Sequence, residues 1–293
     1  GYDVNIVREK GTHYTENKKD TEVLLCYDPF DTLDINNMKK LKWIQLFSVG
    51  IDQLPMDVVR KNNILITNNK GGYSIPMGEW IILKILEMLK HSKKLYKNQQ
   101  EKLWKMDTGI LELYGRTVGF IGTGSIATEA ARRLTGFGVK ILGLNTRGRE
   151  VPYFNRCFST ENMNDMLKLC DIVVITIPYT KKTWHLIDNT AFEAMKNGVY
   201  VVNTARGSIM DEGAFIENVK NGKIAGAALD VVEKEPLDVE SPLWEFENVI
   251  ITPHNSWISE KVDARRFDMM YDNLKRYVSG NKLNNIVNIY KGY

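Results

Sequence analysis

Residues 117–134, TVGFIGTGSIATEAARRL, constrain this chain more than any other stretch. A short apolar run, TVGFI, reads as a buried strand. A glycine-rich turn follows, and then a segment with the composition of a helix. Gly122 permits the tight turn, and Gly124 leaves the backbone open to close approach by a ligand. Ala127 takes the third position, where a small residue lets helix and sheet pack closely. Ser125 and Ile126 fall in the first helical turn, where free N–H groups can hold phosphate. Alone, these letters are only a tight turn of small residues. Their meaning as a pyrophosphate cradle depends on what surrounds them.

The surroundings repeat one pattern. Apolar runs at 117–122, 139–145, 171–178, 199–205, 226–232 and 248–253 read as six strands, most separated by helical stretches, which makes one doubly wound parallel-sheet domain. Upstream, VNIV (4–7), VLLCY (23–27), WIQLFS (43–48) and ILIT (64–67) predict a second α/β unit, with INNMKKL and MDVVRKNN as helical stretches. One helical run is expected from Pro76 to about Trp104, and a last helix from about Ser259 to Ser279. A chain of 293 residues has room for two such domains, and a cleft between two domains is where ligands usually bind. Ligands of open α/β sheets bind beyond the carboxyl ends of the strands.

Composition narrows the partners. Hydrophobic residues make up 43% and charged residues 26%, as in soluble globular proteins. A net charge of +3 without a long basic run argues against nucleic acid. No apolar segment is long enough for a bilayer, since WIILKILEMLK is interrupted by Lys84 and Glu87. Cys26, Cys157 and Cys170 lack metal-ligand spacing and do not suggest a disulfide framework, so no metal is expected and a cytoplasmic location is. The sequence opens without methionine, almost directly in an expected strand, and a missing N-terminal piece is expected.

The stretch GLNTRGRE at 143–150 bears on the cofactor. A carboxylate at the end of the second strand would grip the ribose 2′-hydroxyl of NAD. Here the position is Asn145, followed by Thr146, Arg147 and Arg149. A 2′-phosphate requires positive donors and no carboxylate, so the stretch predicts NADP(H), with NAD as the alternative. The competing reading makes both arginines solvated turn residues.

Three strand ends carry chemistry. Arg206 follows one strand in VVNTARGSIMDE, Asp230, Glu233 and Glu235 follow the next in LDVVEKEPL, and His254 follows the last in VIITPHNSW. An arginine offers a fork matched to a carboxylate. A histidine can give a proton to an alkoxide near neutral pH, and a neighbouring carboxylate favours its charged form. The residues alone do not choose between Glu233 and Glu235. His13, His91 and His185 read as structural.

The ordered set GTGSIA, NTARGSIMDE, ALDVVEKEPL and TPH, with SVGID at 48–52, resembles the D-isomer-specific 2-hydroxyacid dehydrogenases over nearly the whole chain. The resemblance implies a Rossmann cofactor domain at 78–258 inserted in a flavodoxin-like substrate domain made of 1–77 and 259–293. It implies Arg206 on the substrate carboxylate, His254 as acid/base and Glu235 as its partner. It also implies Asp230, Pro178 and Thr204 near the cofactor, and backbone N–H groups of Val49 and Gly50 on the carboxylate. The activity implied is hydride transfer between NADP(H) and a small 2-keto or 2-hydroxy acid, in a homodimer with helix 79–90 offering an apolar face. The chain departs from the family in NNKGGYSIPMGEW and in Asn255-Ser256-Trp257, so Tyr73 and Trp257 are candidate pocket residues. The alternatives are a cofactor-sensing corepressor-like scaffold on the same fold, or formate or phosphite oxidation.

Overall fold

The computed structural model describes residues 3–292 and divides into two compact units, 1–72 with 260–293, and 73–259. In the first unit, β1 (Val23–Cys26), β2 (Trp43–Leu46) and β3 (Leu65–Thr67) form a parallel sheet in that order, with α1 (Met56–Lys61) between the last two. The central strand carries the core, with Trp43, Ile44 and Leu46 fully buried. The expected strand at 4–7 does not form. Val4, Ile6 and Val7 are exposed, and the segment pairs with no strand. A strand without a partner leaves its backbone groups to water. The segment is tied by Glu9 instead, whose carboxylate accepts from the N–H groups of Tyr27 and Asp28 past β1.

The second unit opens with α2 (Ser74–Leu89) and α3 (Ser92–Gln100). The single run expected from 76 to 104 is therefore two helices, broken where His91 adopts a left-handed φ of 51°. Next come β4 (Thr117–Ile121), α4 (Ser125–Leu134), β5 (Lys140–Leu144), β6 (Arg156–Phe158), α5 (Met163–Leu167), β7 (Ile172–Ile175), α6 (Asn189–Ala194), β8 (Val199–Asn203), α7 (Glu212–Lys220), β9 (Ile224–Leu229) and β10 (Val249–Ile251). They make a seven-stranded, wholly parallel sheet in the order β10-β9-β8-β7-β4-β5-β6. The strand order reverses between β4 and β7, and beside such a switch point open α/β sheets bind their ligands.

Helices cover both faces of this sheet, which explains the near-continuous apolar runs. Val118, Phe120, Val173, Val174, Val201 and Val202 are fully buried. The segment at 80–90 reads from sequence as a buried or an interface helix, and the apolar face of α2 is turned into this core. Ile81, Ile85 and Leu89 are fully buried in one cluster with Val118, Ala127 and Ala130. A Cβ on Gly78 would meet Ala130 N at 3.2 Å and Glu129 C at 3.3 Å, so the glycine allows α2 to lie close on α4. The phosphate-loop helix is thereby held from both sides. The chain returns to the first unit as α8 (Val262–Val278), where buried Asn273 donates to Gln45 Oε1 on β2 at 2.9 Å.

Candidate active site

The phosphate loop joins β4 to α4. Gly122 has φ 101°, and a Cβ there would lie 2.8 Å from Ile177 Cγ2, so the fold itself requires glycine. Gly124 is different. A Cβ on it would meet no atom within 4 Å, so the fold makes no demand for glycine at this position. It is also the N-cap of α4 and offers no side-chain cap, which leaves the first-turn N–H groups of Ser125 and Ile126 to a ligand. Ala127 is fully buried against the sheet.

The turn after β5 is built by one side chain. Asn145 Nδ2 donates to Arg149 O at 2.9 Å, and its Oδ1 accepts from Arg149 N at 3.0 Å and Arg147 N at 3.4 Å. Gly148 supplies the positive φ the turn needs. Thr146, Arg147 and Arg149 project from it exposed, and neither guanidinium has an ion-pair partner among the described residues. Across the switch point, Pro178 is exposed just past β7, and its carbonyl accepts from Thr183 Oγ1 at 2.9 Å. Thr204, just past β8, is buried, and its hydroxyl finds no hydrogen-bond partner among the described residues.

Arg206 follows β8, and Asn203 holds its loop from the strand end. Asn203 Nδ2 donates to Arg206 O at 3.0 Å while its Oδ1 accepts from Ala205 N at 3.0 Å. Gly207 presses this loop against the one after β9: a Cβ there would lie 1.9 Å from Val232 C and 2.1 Å from Val232 O. The backbone between Arg206 and Glu235 is therefore in contact. Neither Asn203 nor Gly207 was a candidate from sequence. Both had a signal, an asparagine at a strand end and a glycine beside a charged residue.

Asp230 follows β9 and holds the next loop. Its carboxylate accepts from Thr252 Oγ1 at 2.7 Å, Asn255 N at 2.8 Å and Ser256 N at 2.9 Å, and its carbonyl accepts from His254 N at 2.8 Å. His254 is fixed in the left-handed region at φ 54°, a conformation that persists where the surroundings over-determine it. Its Nδ1 is 2.9 Å from Glu235 Oε2, and both side chains stay partly open, at 37% and 40%. The alternative carboxylate, Glu233, lies elsewhere, 2.8 Å from His185 Nε2. The carboxylate accepts from Nδ1–H, so the ring presents Nε2 outward.

Electrostatics agree with the contact. Burial pushes the Glu235 carboxyl up, but the hydrogen bond and charge of His254, the Val232 N–H and the charge of Arg206 outweigh it and hold it below its ordinary value. Glu235 is therefore an anion at neutral pH. Its stabilisation is present above the unfolded value and fades only as pH falls through the lowered one.

Trp257 follows three residues after His254, and Tyr73, at the N-cap of α2, meets its ring edge-on at 5.8 Å between centroids. Tyr73 is buried and Trp257 only partly so, which leaves Trp257 as the surface of the pair. In the first unit, Val49 and Gly50 lie just past β2. Their carbonyls accept from Asn68 Nδ2 and Ser48 Oγ, both at 2.7 Å, while their N–H groups have no acceptor among the described residues. No group of three or more His, Cys, Asp or Glu among the described residues could hold a metal, and no helix there is long and apolar enough to cross a membrane.

The chain is similar to known proteins. A family model described as D-isomer specific 2-hydroxyacid dehydrogenase, NAD binding domain, matches residues 82–256. The glyoxylate reductase of Thermofilum pendens is 36% identical over 261 residues, covering 85% of this chain and 76% of that protein. A D-isomer specific 2-hydroxyacid dehydrogenase structure from Xanthobacter autotrophicus Py2, in complex with NADPH and MES, is 26% identical with a TM-score of 0.84 over 100% of this chain and 92% of that one. A D-lactate dehydrogenase structure from Aquifex aeolicus, complexed with NAD and lactic acid, is 30% identical with a TM-score of 0.78 over 94% and 86%. A nicotinamide cofactor fits the residues present: the open space beyond Gly124, the uncapped end of α4 and the orphaned buried hydroxyl of Thr204 are polar or empty where a dinucleotide would lie.

Proposed function

The chain belongs to the D-isomer specific 2-hydroxyacid dehydrogenases, a family of NAD(P)-dependent oxidoreductases, and from that premise we propose that it is an NADPH-dependent reductase of small 2-keto acids. The observation that carries the reaction is His254 Nδ1 held 2.9 Å from Glu235, beside the loop of Arg206. The cofactor preference is supported by the turn after β5, where Asn145 is committed to the backbone and the guanidinium groups of Arg147 and Arg149 have no ion-pair partner among the described residues.

The nicotinamide, when bound, supplies the hydride. Arg206 holds the substrate carboxylate with a fork that stays charged, and its proximity polarises the adjacent carbonyl. Hydride arrival leaves an alkoxide, and His254 donates a proton to it from Nε2. Glu235 fixes the ring through Nδ1 and stabilises the imidazolium before transfer. Val49 and Gly50 offer N–H groups suited to a carboxylate. Asp230 keeps His254 in place and lies next to the cofactor end of the site. Trp257, braced by Tyr73, limits the size of the acid that fits. A homodimer belongs to the same reading, supported by exposed apolar side chains at Leu103, Trp104, Met106 and Tyr114.

Initial rates with NADPH across a panel of 2-keto acids, from glyoxylate and hydroxypyruvate to bulkier members, test the reaction. Turnover of at least one small acid to a D-2-hydroxy acid is expected. Cofactor binding without turnover of any would favour a cofactor-sensing scaffold.

The pH dependence tests the pair. Glu235 stays ionised to below the ordinary carboxylate range, so kcat should fall only as pH drops through that lowered value and the anion is lost. In Glu235→Gln there is no carboxyl to titrate, and this acid limb should be missing from a profile that is lower throughout. An acid limb unchanged in the variant would take Glu235 out of the proton-transfer step.

A further inference from the structure

We propose that His185 is a second positioning histidine of this site, clamping the Glu233 carboxylate so that the loop bearing Glu235 stays within reach of His254. The proposal rests on the reductase reading, because Glu235 matters there as the partner of His254. His185 lies between β7 and α6. Its backbone N–H donates to Ser208 O at 2.9 Å, Ile187 N donates to Ile209 O at 3.0 Å, and Asp211 N donates back to Ile187 O at 3.0 Å. Residues 185–187 thus run beside the segment that leaves Arg206. The ring reaches the other way, with Nε2 2.8 Å from Glu233 Oε1. One residue therefore ties the Arg206 loop, through its backbone, to the Glu235 loop, through its side chain.

The ring is held for this. His185 has a left-handed φ of 47°, and Trp184 stacks on it at 4.0 Å between centroids with the planes 14° apart. The charged groups facing His185 are Glu233 and Asp211, whose Oδ2 lies 3.6 Å from Nδ1; Glu212, which accepts from Glu233 N at 3.2 Å, completes the cluster. Those at His254 are Glu235 and, acting on Glu235, Arg206. A partly exposed pair such as His185–Glu233 contributes little to stability. Its effect is geometric. Glu233 is two residues before Glu235, and Gly207 already presses on Val232 and Glu233 from below. Loss of the clamp frees the loop to swing on that contact and draws Glu235 away from Nδ1. Displacements of about 1 Å far from the reacting atoms can lower turnover by up to about a hundredfold.

The test is the downfield proton resonance of the His254 Nδ1–H, with steady-state kinetics, on wild type, His185→Ala, His185→Gln and Glu235→Gln. His185→Ala should move that resonance upfield or broaden it away, as loss of the carboxylate charge in Glu235→Gln does, and lower kcat by roughly tenfold to a hundredfold with KM for NADPH unchanged. His185→Gln, which keeps a donor for Glu233, should recover part of the loss. In a Glu235→Gln background the His185→Ala change should add nothing. An unchanged resonance in His185→Ala, or a full additional loss in the Glu235→Gln background, would overturn the clamp. Glu233→Ala removes the acceptor of the same bond from the other side and decides the matter if His185→Ala folds poorly. Should wild type reduce no 2-keto acid, the functional reading fails, and the resonance still decides the clamp.

Discussion

His254→Gln is expected to lower kcat for 2-keto acid reduction by about two to four orders of magnitude, with cofactor binding retained. Glutamine keeps a polar side chain of similar reach but cannot deliver a proton to the alkoxide. The backbone need not respond, because the loop is held by Asp230 through Asn255 N, Ser256 N and Thr252 Oγ1 rather than by the imidazole. Steady-state rates with a saturating 2-keto acid, set beside NADPH binding followed by tryptophan fluorescence, separate the two effects. Turnover within a few-fold of wild type would remove His254 from proton transfer.

Gly207→Ala is expected to damage both stability and turnover. The new Cβ would sit 1.9 Å from Val232 C and 2.3 Å from Glu233 N, both backbone atoms that have no rotamer to change. Overpacking against a side chain typically costs 1–3 kcal/mol, and backbone yields less readily, so a cost of about 3 kcal/mol or more is expected. For a unit of this size that lowers Tm by roughly 6–12 °C. The loops of Arg206 and Glu235 must also separate, and kcat should drop by about a hundredfold or more even where the protein remains folded. Thermal melts and kinetics at a temperature well below Tm check the two parts. A variant with wild-type melting and wild-type rate would mean that these loops are not in contact.

Much of the fold was legible because a parallel sheet covered on both faces writes itself as apolar runs, as in DIVVITIP and VYVVNTA. The failures have physical causes. VNIV has the right letters but no strand beside it to share hydrogen bonds. RCF, the missed strand β6, is a three-residue edge whose arginine and cysteine carry no apolar pattern. An amphipathic pattern cannot say whether the cover of α2 is a partner or, as here, α4 of the same chain, so residues 80–90 read equally as a buried or an interface helix. At the site, Arg206, Asp230 and His254 could be placed past β8, β9 and β10 from strand ends alone. Glu233 and Glu235 could not be separated, since two residues apart in an irregular loop implies no common face. The contacts to His185 and His254 separate them. Gly207 as the contact point and Asn145 as the builder of its turn depend on tertiary geometry that no spacing encodes.

The central claim, NADPH-dependent reduction of a 2-keto acid at this site, is tested most directly by kcat/KM for NADPH and NADH, measured with the best acid of the panel in wild type, Arg147→Ala and Arg149→Ala. A charge-assisted contact to the 2′-phosphate contributes about 1.5–3 kcal/mol, and 1.4 kcal/mol is a factor of ten. Wild type should therefore prefer NADPH, and each alanine variant should raise KM for NADPH by roughly tenfold to a hundredfold while leaving KM for NADH nearly unchanged. A wild type that prefers NADH, or variants that treat the two cofactors alike, would contradict the account and leave Arg147 and Arg149 as solvated turn residues.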